Sequence, residues 1–476
     1  MENKTERNTK QIFAIINWFD FLFNQKFSYK KKDLTDFYIF LCAHCLNSFL
    51  LHAKQYDWNP NSALSQFMDD KIGMILQNEK YSTLNNDVCL RKLQRHFFIG
   101  NKTDYRYLLA AEVLYSADLL GISINDSLIL VLRRSLNFFN EKETSKVLEC
   151  VKKPFLTKER HIAQSFSEFV SFKQSLSEYN KLEIKNIAVC ATMSAGKSSF
   201  VNALLGYDFL PMRNEATTAK ITSVYDNDHA KRMNGFTLQN NEISSINSNL
   251  NSKNIDEWNS NGSIGQIVLQ GDLDNIGNNG LIVAVHDTPG TNNSGDTVHH
   301  DITLNFLQSN RMDAIVIVAN AEHLGTTDEK TLLKELNEKI VTPQNIPVIF
   351  VLNKADNIDT EKEELTSVIS DYKDFLSGIG FTNPIILPVS SKAARLLKIS
   401  LKNHSEIFTE SECDYFPSIV KKFTKRLNLD GGEELSSENS GKITVDGESY
   451  EKSDLITALF HTGINRIEKE IESIIK

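Results

Sequence analysis

The sequence lacks a disulfide framework, a membrane-spanning apolar run and an excess of basic charge. Its 476 residues include only six cysteines, too few for a disulfide scaffold, which suits a reducing compartment. The longest apolar stretch, Phe37 to Ala53, contains His44, Asn47 and His52 and falls short of a membrane span. The net charge of −9 argues against nucleic acid as the main partner. The polar N-terminus has no signal-peptide layout, so we expect a cytoplasmic protein.

Residues 1–180 also lack the Pro-Gly punctuation that is typical of β-hairpins. Their apolar residues recur at helical spacing, which predicts an all-helical N-terminal region that serves as an assembly or partner-binding module. Two such stripes are Ile12, Ile15, Ile16, Phe19 and Phe23, and Leu108, Val113, Leu114, Ala117 and Leu120.

Two groups of residues in this region have a functional and a structural interpretation. Cys42, His44, Cys45 and His52 are zinc-ligand types, but they share one apolar helical run and point in different directions, which favours packing. The basic run at 30–32 lies near Phe residues and suits an anionic membrane surface or, more often, a solvated loop.

From Glu183 the pattern changes to apolar strands that alternate with helices. This alternation predicts an α/β P-loop domain over 181–476, with a mainly parallel sheet and helices on both faces. Two polar insertions, near 240–261 and 427–448, are rich in Asn, Ser or Gly and predict surface loops. The predicted core strands are 184–190, 266–272, 282–287, 312–319, 347–352 and 384–389.

The stretch from Ile187 to Gly206 has the order of strand, small-residue loop and helix that a Walker A phosphate loop needs. Backbone N–H groups and the helix N-terminus can then wrap a phosphate, while Lys197 reaches the β- and γ-phosphates and Ser198 binds Mg²⁺. Ala191 stands where the pattern has its first Gly, but a functional loop is expected. The predicted nucleotide contacts here are Thr192, Met193, Ser194, Ala195, Gly196, Lys197, Ser198 and Ser199.

Two further stretches are predicted to sense the γ-phosphate. Asp287 ends an apolar strand and is expected to hold Mg²⁺ through water, while Gly290 presents its N–H to the γ-phosphate. Upstream of them, Thr218 is expected to bind Mg²⁺ and the attacking water, with Thr217 as the alternative. The competing interpretation of either threonine is a β-forming residue before the strand through Ile221.

The motif Asn353-Lys354-Ala355-Asp356 predicts selection of guanine. The Asp356 carboxylate can accept from guanine N1–H and from its exocyclic amine, a donor pair that adenine lacks. With ATP the buried carboxylate would be left unpaired. After the next strand, Ser390, Ser391 and Lys392 are placed to support the guanine ring.

Five short motifs follow one another along the chain, at 194–199, 202–206, 217–219, 287–290 and 353–356. Together they resemble the dynamin superfamily, specifically bacterial dynamin-like proteins. The resemblance covers about residues 183–476 and implies a GTPase that hydrolyses GTP when two GTPase domains pair, often at membranes. It also implies that Ser194 contacts the β–γ bridge, with a monovalent cation, where other GTPases use an arginine finger. Ser194, Lys197, Thr218 and Thr217 would then be the catalytic residues.

One feature fits that mechanism and two depart from the family. Thr291 stands where Ras-type enzymes carry a water-orienting Gln, and Met193 stands where dynamins often have Gln. The chain ends after an amphipathic helix that contains Ile464, Ile467, Ile471 and Ile474, without the usual stalk, so we expect the N-terminal helices or a second dynamin-like subunit to replace it.

The leading hypothesis is a dynamin-like GTPase, coupled to assembly and peripheral at the inner face of the membrane. The alternative is a GTP-controlled switch or scaffold subunit that does not remodel membranes.

Overall fold

The computed structural model describes residues 4–24, 32–55, 58–79, 91, 104–136, 160–192, 194–211, 220–228, 230, 232–273, 276, 280–290, 297–358, 364–402, 407–432 and 441–476. Its contacts divide the chain into two compact units. The first consists of Met1–Leu182 with Ile243–Ser248, and the second of Glu183–Glu242 with Asn249–Lys476. The basic run at 30–32 lies at the edge of the described residues, and nothing is assigned to its side chains.

The described part of residues 1–182 is helical. Its helices are α1 (Lys4–Phe23), α2 (Lys32–Gln55), α3 (Ser62–Leu76), α4 (Asp104–Leu119), α5 (Asp126–Leu136) and α6 (Arg160–Lys181). No described helix is both long enough and apolar enough to cross a membrane.

Helix α4 lies at the centre of this unit, since every residue from 105 to 117 is buried. More of α4 is buried than the predicted stripe implies. Of the predicted stripe on α1, Ile12, Ile15, Ile16 and Phe19 are buried and Phe23 is half-buried. Trp18 Nε1 donates to Ser116 Oγ at 2.8 Å, and the Tyr38 hydroxyl donates to buried Glu112 at 2.7 Å. Burial raises the pKa of the Cys42 thiol, and that of the Cys45 thiol to about 12, so both remain neutral in this core.

A nine-stranded sheet has the order β4-β3-β5-β2-β6-β1-β7-β8-β9; eight of its strands belong to the second unit, and residues 243–247 of the edge strand β4 are grouped with the first. Strand β1 pairs in parallel with β6 and β7, and β7, β8 and β9 continue in parallel, whereas β2–β6 and β3–β5 are antiparallel. The strands are β1 (Glu183–Ala191), β2 (Ile221–Asp226), β3 (Asn234–Gln239), β4 (Glu242–Asn247), β5 (Gln266–Gly271), β6 (Leu281–Asp287), β7 (Ala314–Asn320), β8 (Val348–Asn353) and β9 (Ile385–Val389).

The predicted fold class is confirmed, and each of the six predicted core strands matches an observed strand to within two residues at either end. These strands could be predicted from the sequence because both of their faces are buried, which requires near-continuous runs of Val, Ile, Leu and Ala.

The helices of this unit are α7 (Lys197–Leu205), α8 (Ser252–Ser260), α9 (Thr297–Ser309), α10 (Thr327–Leu336), α11 (Leu365–Ile379), α12 (Ser391–Leu401), α13 (Glu410–Lys425), α14 (Lys452–His461) and α15 (Ile464–Ile475). Strands β10 (Lys442–Val445) and β11 (Glu448–Glu451) pair in a small antiparallel hairpin. Helix α15 buries Ile464, Ile467 and Ile471 of its predicted stripe and leaves Ile474 half-buried. The buried pair Lys398–Glu468 adds a polar contact between α12 and α15.

The first polar insertion contains regular structure where a loop was expected. It contains β4 and helix α8, which begins with reciprocal hydrogen bonds between Asn251 and Asn254. Strand β4 is the edge of the sheet and half-exposed, so its Ser and Asn residues gave no apolar signal. In the second insertion, 433–440 lies outside the described residues, and the part from 442 onwards begins the hairpin.

Candidate functional site

The predicted motifs meet at one edge of the sheet because β1, β6, β8 and β9 share one direction. Residues 192–196 follow β1, 288–290 follow β6, 354–356 follow β8 and 390–392 follow β9. The carboxyl ends of parallel strands in an open α/β sheet form the usual ligand-binding crevice. The topology therefore brings the phosphate, magnesium and base motifs to a single edge.

The phosphate loop tolerates Ala191 because this residue still belongs to β1. Ala191 is paired with Val318 of β7, is buried, and does not have the positive φ that would require glycine. The left-handed positions are Ser194, with φ 60°, and Gly196, with φ 86°. Ser194 is exposed at the tip of the loop, while Ala195 is buried. A non-glycine residue in this conformation is strained, and such strain concentrates at functional sites.

Gly196 occupies the N-cap of α7 and offers no side-chain acceptor to its first turn. The first N–H groups of a helix lack intrahelical partners and carry the positive end of the helix dipole. Lys197, Ser198 and Ser199 form the first turn, with Lys197 buried and both serines half-buried. This end of α7 is thus suited to an anion.

Lys197 and Asp287 form a buried ion pair in this structure. Lys197 Nζ donates to Asp287 Oδ1, and the two side chains are 8% and 1% exposed. Burial raises the pKa of the Asp287 carboxyl, and the neighbouring ammonium of Lys197 partly reverses this shift. Neither charge would be stable here without a counter-charge.

The segment after Asp287 is fixed to the phosphate strand. Thr288 Oγ1 donates to Val189 O at 2.8 Å, and Thr288 N donates to the same oxygen at 3.3 Å. Gly290 is half-buried at the last described position before 297. Thr291, which was noted in place of a glutamine, lies outside the described residues.

Asn353 ties the phosphate loop to the loop after β9. Its Nδ2 donates to Ala195 O at 2.8 Å, and its Oδ1 accepts from Ser391 N at 3.1 Å. A Cβ built on Gly196 would overlap Asn353 Nδ2, so glycine is required there by close approach as well as by φ. One amide side chain thereby sets the spacing of the two loops.

Asp356 is buried in the turn that follows, with an exposure of 6%. Lys354, just before it, has φ 60°, which turns the chain sharply after β8. Two side chains of α13 contact Asp356. The Tyr415 hydroxyl donates to Oδ2 at 3.4 Å, and Lys422 Nζ donates to the backbone carbonyl.

The Ser-Ser-Lys motif begins α12. Ser390 and Ser391 are both buried, and Ser390 N donates to Thr462 O at 3.0 Å. Lys392 is exposed, and its Nζ lies 4.4 Å from the centre of the Tyr415 ring. This cation–π contact links the motif to α13.

Met193, Thr217 and Thr218 lie outside the described residues, so the structure assigns no position to these predicted contacts. Thr192, by contrast, is half-buried at the start of the loop, and its carbonyl accepts from Ala195 N at 3.4 Å.

Sequence reasoning gave no role to three residues that contact the site's supporting elements: Lys220, Tyr415 and Lys422. Lys220 follows the threonine motif directly, and its Nζ donates to the carbonyls of Trp258, Asn259 and Asn261 at 2.8, 2.6 and 2.5 Å. A cation at the C-terminal end of α8 is favourable for the helix dipole. No local pattern could have identified these contacts, since the partners are distant in sequence.

The parallel sheet, together with the motif loops that follow β1, β6, β8 and β9, defines a P-loop domain of the GTPase class. Residues 187–355 match the sequence model described as the Dynamin family. This part of the chain is therefore similar to that family.

Proteins that are similar to this chain include one curated relative and several solved structures. An uncharacterized protein in the xynA 3′ region of Caldicellulosiruptor sp. (strain Rt8B.4) is 27% identical over 249 residues, which are 50% of this chain and 56% of the relative. An oligomerised bacterial dynamin pair is 17% identical with a TM-score of 0.35, over 96% of this chain and 64% of that chain. Era from Aquifex aeolicus, bound to GDP and aluminium fluoride, is 20% identical with a TM-score of 0.27, over 48% and 58%. The chain thus spans little more than half the length of its curated relative.

Proposed function

We propose that this chain binds GTP with Mg²⁺ and hydrolyses it. The observation that carries the proposal is the position of Asn353, which bonds to both the phosphate loop and the Ser391 loop. Phosphate and base are the two ends of one ligand, so a rigid link between their loops suits a single nucleotide.

The buried pair of Lys197 and Asp287 supports a magnesium nucleotide in particular. A triphosphate bound at the start of α7 would draw the Lys197 ammonium towards its β- and γ-oxygens. Asp287 would then lose its counter-charge in a buried environment, which is costly unless another cation replaces it. The Ser198 hydroxyl and the Asp287 carboxylate are hard oxygen donors of the kind that Mg²⁺ prefers. Mg²⁺ held there would neutralise charge that develops on the phosphates.

Hydrolysis needs groups beyond binding, and we assign them from the family. Ser194 would approach the β–γ bridge, and its exposure at the tip of the phosphate loop supports this role. Thr218, or alternatively Thr217, would orient the attacking water. We further propose that two GTPase domains pair during the reaction, with a monovalent cation near Ser194.

The test is steady-state GTP hydrolysis over a range of protein concentrations, with ATP as the control substrate. Lys197→Arg is the sharpest variant, because it keeps the charge beside Asp287 but replaces a compact ammonium with a planar guanidinium. Exposed Lys253 of α8 supplies the matched control, Lys253→Arg. We expect GTP-specific activity that rises with concentration, is unchanged in the control and is lost in Lys197→Arg. Equal activity in all three proteins would contradict the proposal.

The membrane role and its alternative are separated by one further assay. We propose that the protein acts peripherally at membranes, with self-association or a second dynamin-like subunit, as the similarity of residues 187–355 to the dynamin family suggests. Co-sedimentation with anionic liposomes should then increase with a non-hydrolysable GTP analogue. Pelleting that is independent of nucleotide would favour the switch or scaffold function.

A further inference from the structure

Helix α13 contacts the base-reading loop from outside any of the nucleotide motifs. Tyr415, five residues after the first residue of α13, donates its hydroxyl to Asp356 Oδ2 at 3.4 Å. Lys422, two turns later, donates to the Asp356 carbonyl and lies 3.8 Å from the same Oδ2. The loop and the carboxylate are thus both held by one helix.

The position of α13 is itself fixed at its N-terminus. Thr409 and Glu412 form a capping box, and Glu412 also accepts from the buried Arg395 of α12. Arg395 bonds in addition to Asp208, which follows α7. Because α12 begins with the Ser-Ser-Lys motif, the helix that holds Asp356 is anchored to the helix that carries the second base-side loop.

A carboxylate reads guanine well only when its plane is aligned with both donors of the base. Free rotation of the Asp356 side chain would have to be lost on binding, at a cost in affinity. The Tyr415 hydroxyl can occupy one lone pair of Oδ2 and leave another lone pair for the base. Burial and the neighbouring Asp356 raise the pKa of Tyr415 to about 12, so its hydroxyl remains a donor at neutral pH.

We propose that Tyr415 and Lys422 are positioning residues for guanine recognition, which act by holding Asp356 in the orientation that accepts both donors. The inference rests on the proposed function, because it presumes that Asp356 reads the base. Neither residue belongs to a nucleotide motif.

The test measures the dissociation constants of GDP and IDP, which differ only by the exocyclic amine that Asp356 is expected to read. The variants are Tyr415→Phe, which removes one hydroxyl, and Lys422→Met. Their matched controls are Tyr450→Phe, where the hydroxyl bonds to Glu448 in the small hairpin, and Lys421→Met at the exposed neighbouring lysine.

We expect the wild type to bind GDP more tightly than IDP. In each variant the dissociation constant of IDP divided by that of GDP should fall by about 3- to 10-fold, as loss of one hydrogen bond or one orienting charge implies. Both controls should leave the ratio unchanged. If the variants weaken GDP and IDP equally, or not at all, their role is structural and the inference is wrong. If the wild type itself shows no preference for GDP, the proposed function fails instead.

Discussion

Replacement of Gly196 by alanine is expected to disrupt the close contact between the phosphate loop and the Asn353 side chain. Gly196 has φ 86°, and its new Cβ would overlap Asn353 Nδ2. The left-handed conformation costs an alanine about 1–2 kcal/mol, and displacement of Asn353 would lose two hydrogen bonds worth about 1 kcal/mol each. We therefore expect Gly196→Ala to lower the free energy of unfolding of the second unit by roughly 3–4 kcal/mol, summed from those terms.

Urea denaturation measures this change, and the transition of the second unit is identified by its shift on addition of GDP. Gly431→Ala is the matched control, because Gly431 also has a positive φ but a Cβ there meets no atom within 4 Å. The control should lose only the backbone part, about 1–2 kcal/mol.

A double-mutant cycle isolates the overlap with Asn353. In an Asn353→Ala background the overlap is absent, so Gly196→Ala should again cost only the backbone part. An equal cost in both backgrounds would refute the reasoning.

Three further predictions concern single residues of the second unit. Burial raises the pKa of Asp226 to about 8, so the native state holds an extra proton between about pH 4 and that value, and stability should fall as pH rises through this range, by at most about 1.4 kcal/mol per pH unit. The thermal unfolding midpoint of Asp226→Asn should not show this decrease with pH. A pH dependence parallel to that of the wild type would contradict the prediction. Ser194→Gly should raise stability by about 1 kcal/mol by relief of the left-handed strain while it abolishes hydrolysis, as activity and urea denaturation can show. Lys220→Met should lower stability by about 2–3 kcal/mol in urea denaturation, because three carbonyls lose a charged donor.

The core of the second unit was predictable because its strands are buried on both faces and end in short motifs with fixed chemistry. Asp287 and Asn353, for example, are the last residues of β6 and β8, at the positions the motifs imply. The isoleucine face of α15 was readable for a similar reason, since one helical period gives one buried stripe.

Long-range polar contacts could not be predicted in the same way. Tyr415 lies 59 residues from Asp356 along the chain, and Lys220 lies about 40 residues from the carbonyls that it bonds. Strand β4 was missed because a half-exposed edge strand needs few apolar residues. The bridging role of Asn353 likewise follows from the meeting of two loops, which only the folded sheet brings together.

The most direct test of the central claim is the base preference of the wild type and of Asp356→Asn, measured as equilibrium binding of GDP, ADP and XDP. An asparagine donates where the carboxylate accepts, so it should reject the exocyclic amine of guanine and favour the C2 carbonyl of xanthine. Exposed Asp371 of α11 supplies the control variant Asp371→Asn. We expect the wild type and the control to prefer GDP over XDP and ADP by at least about 100-fold, and Asp356→Asn to prefer XDP. Equal binding of GDP and ADP by the wild type, or an unchanged preference in Asp356→Asn, would contradict a guanine nucleotide as the ligand of this site.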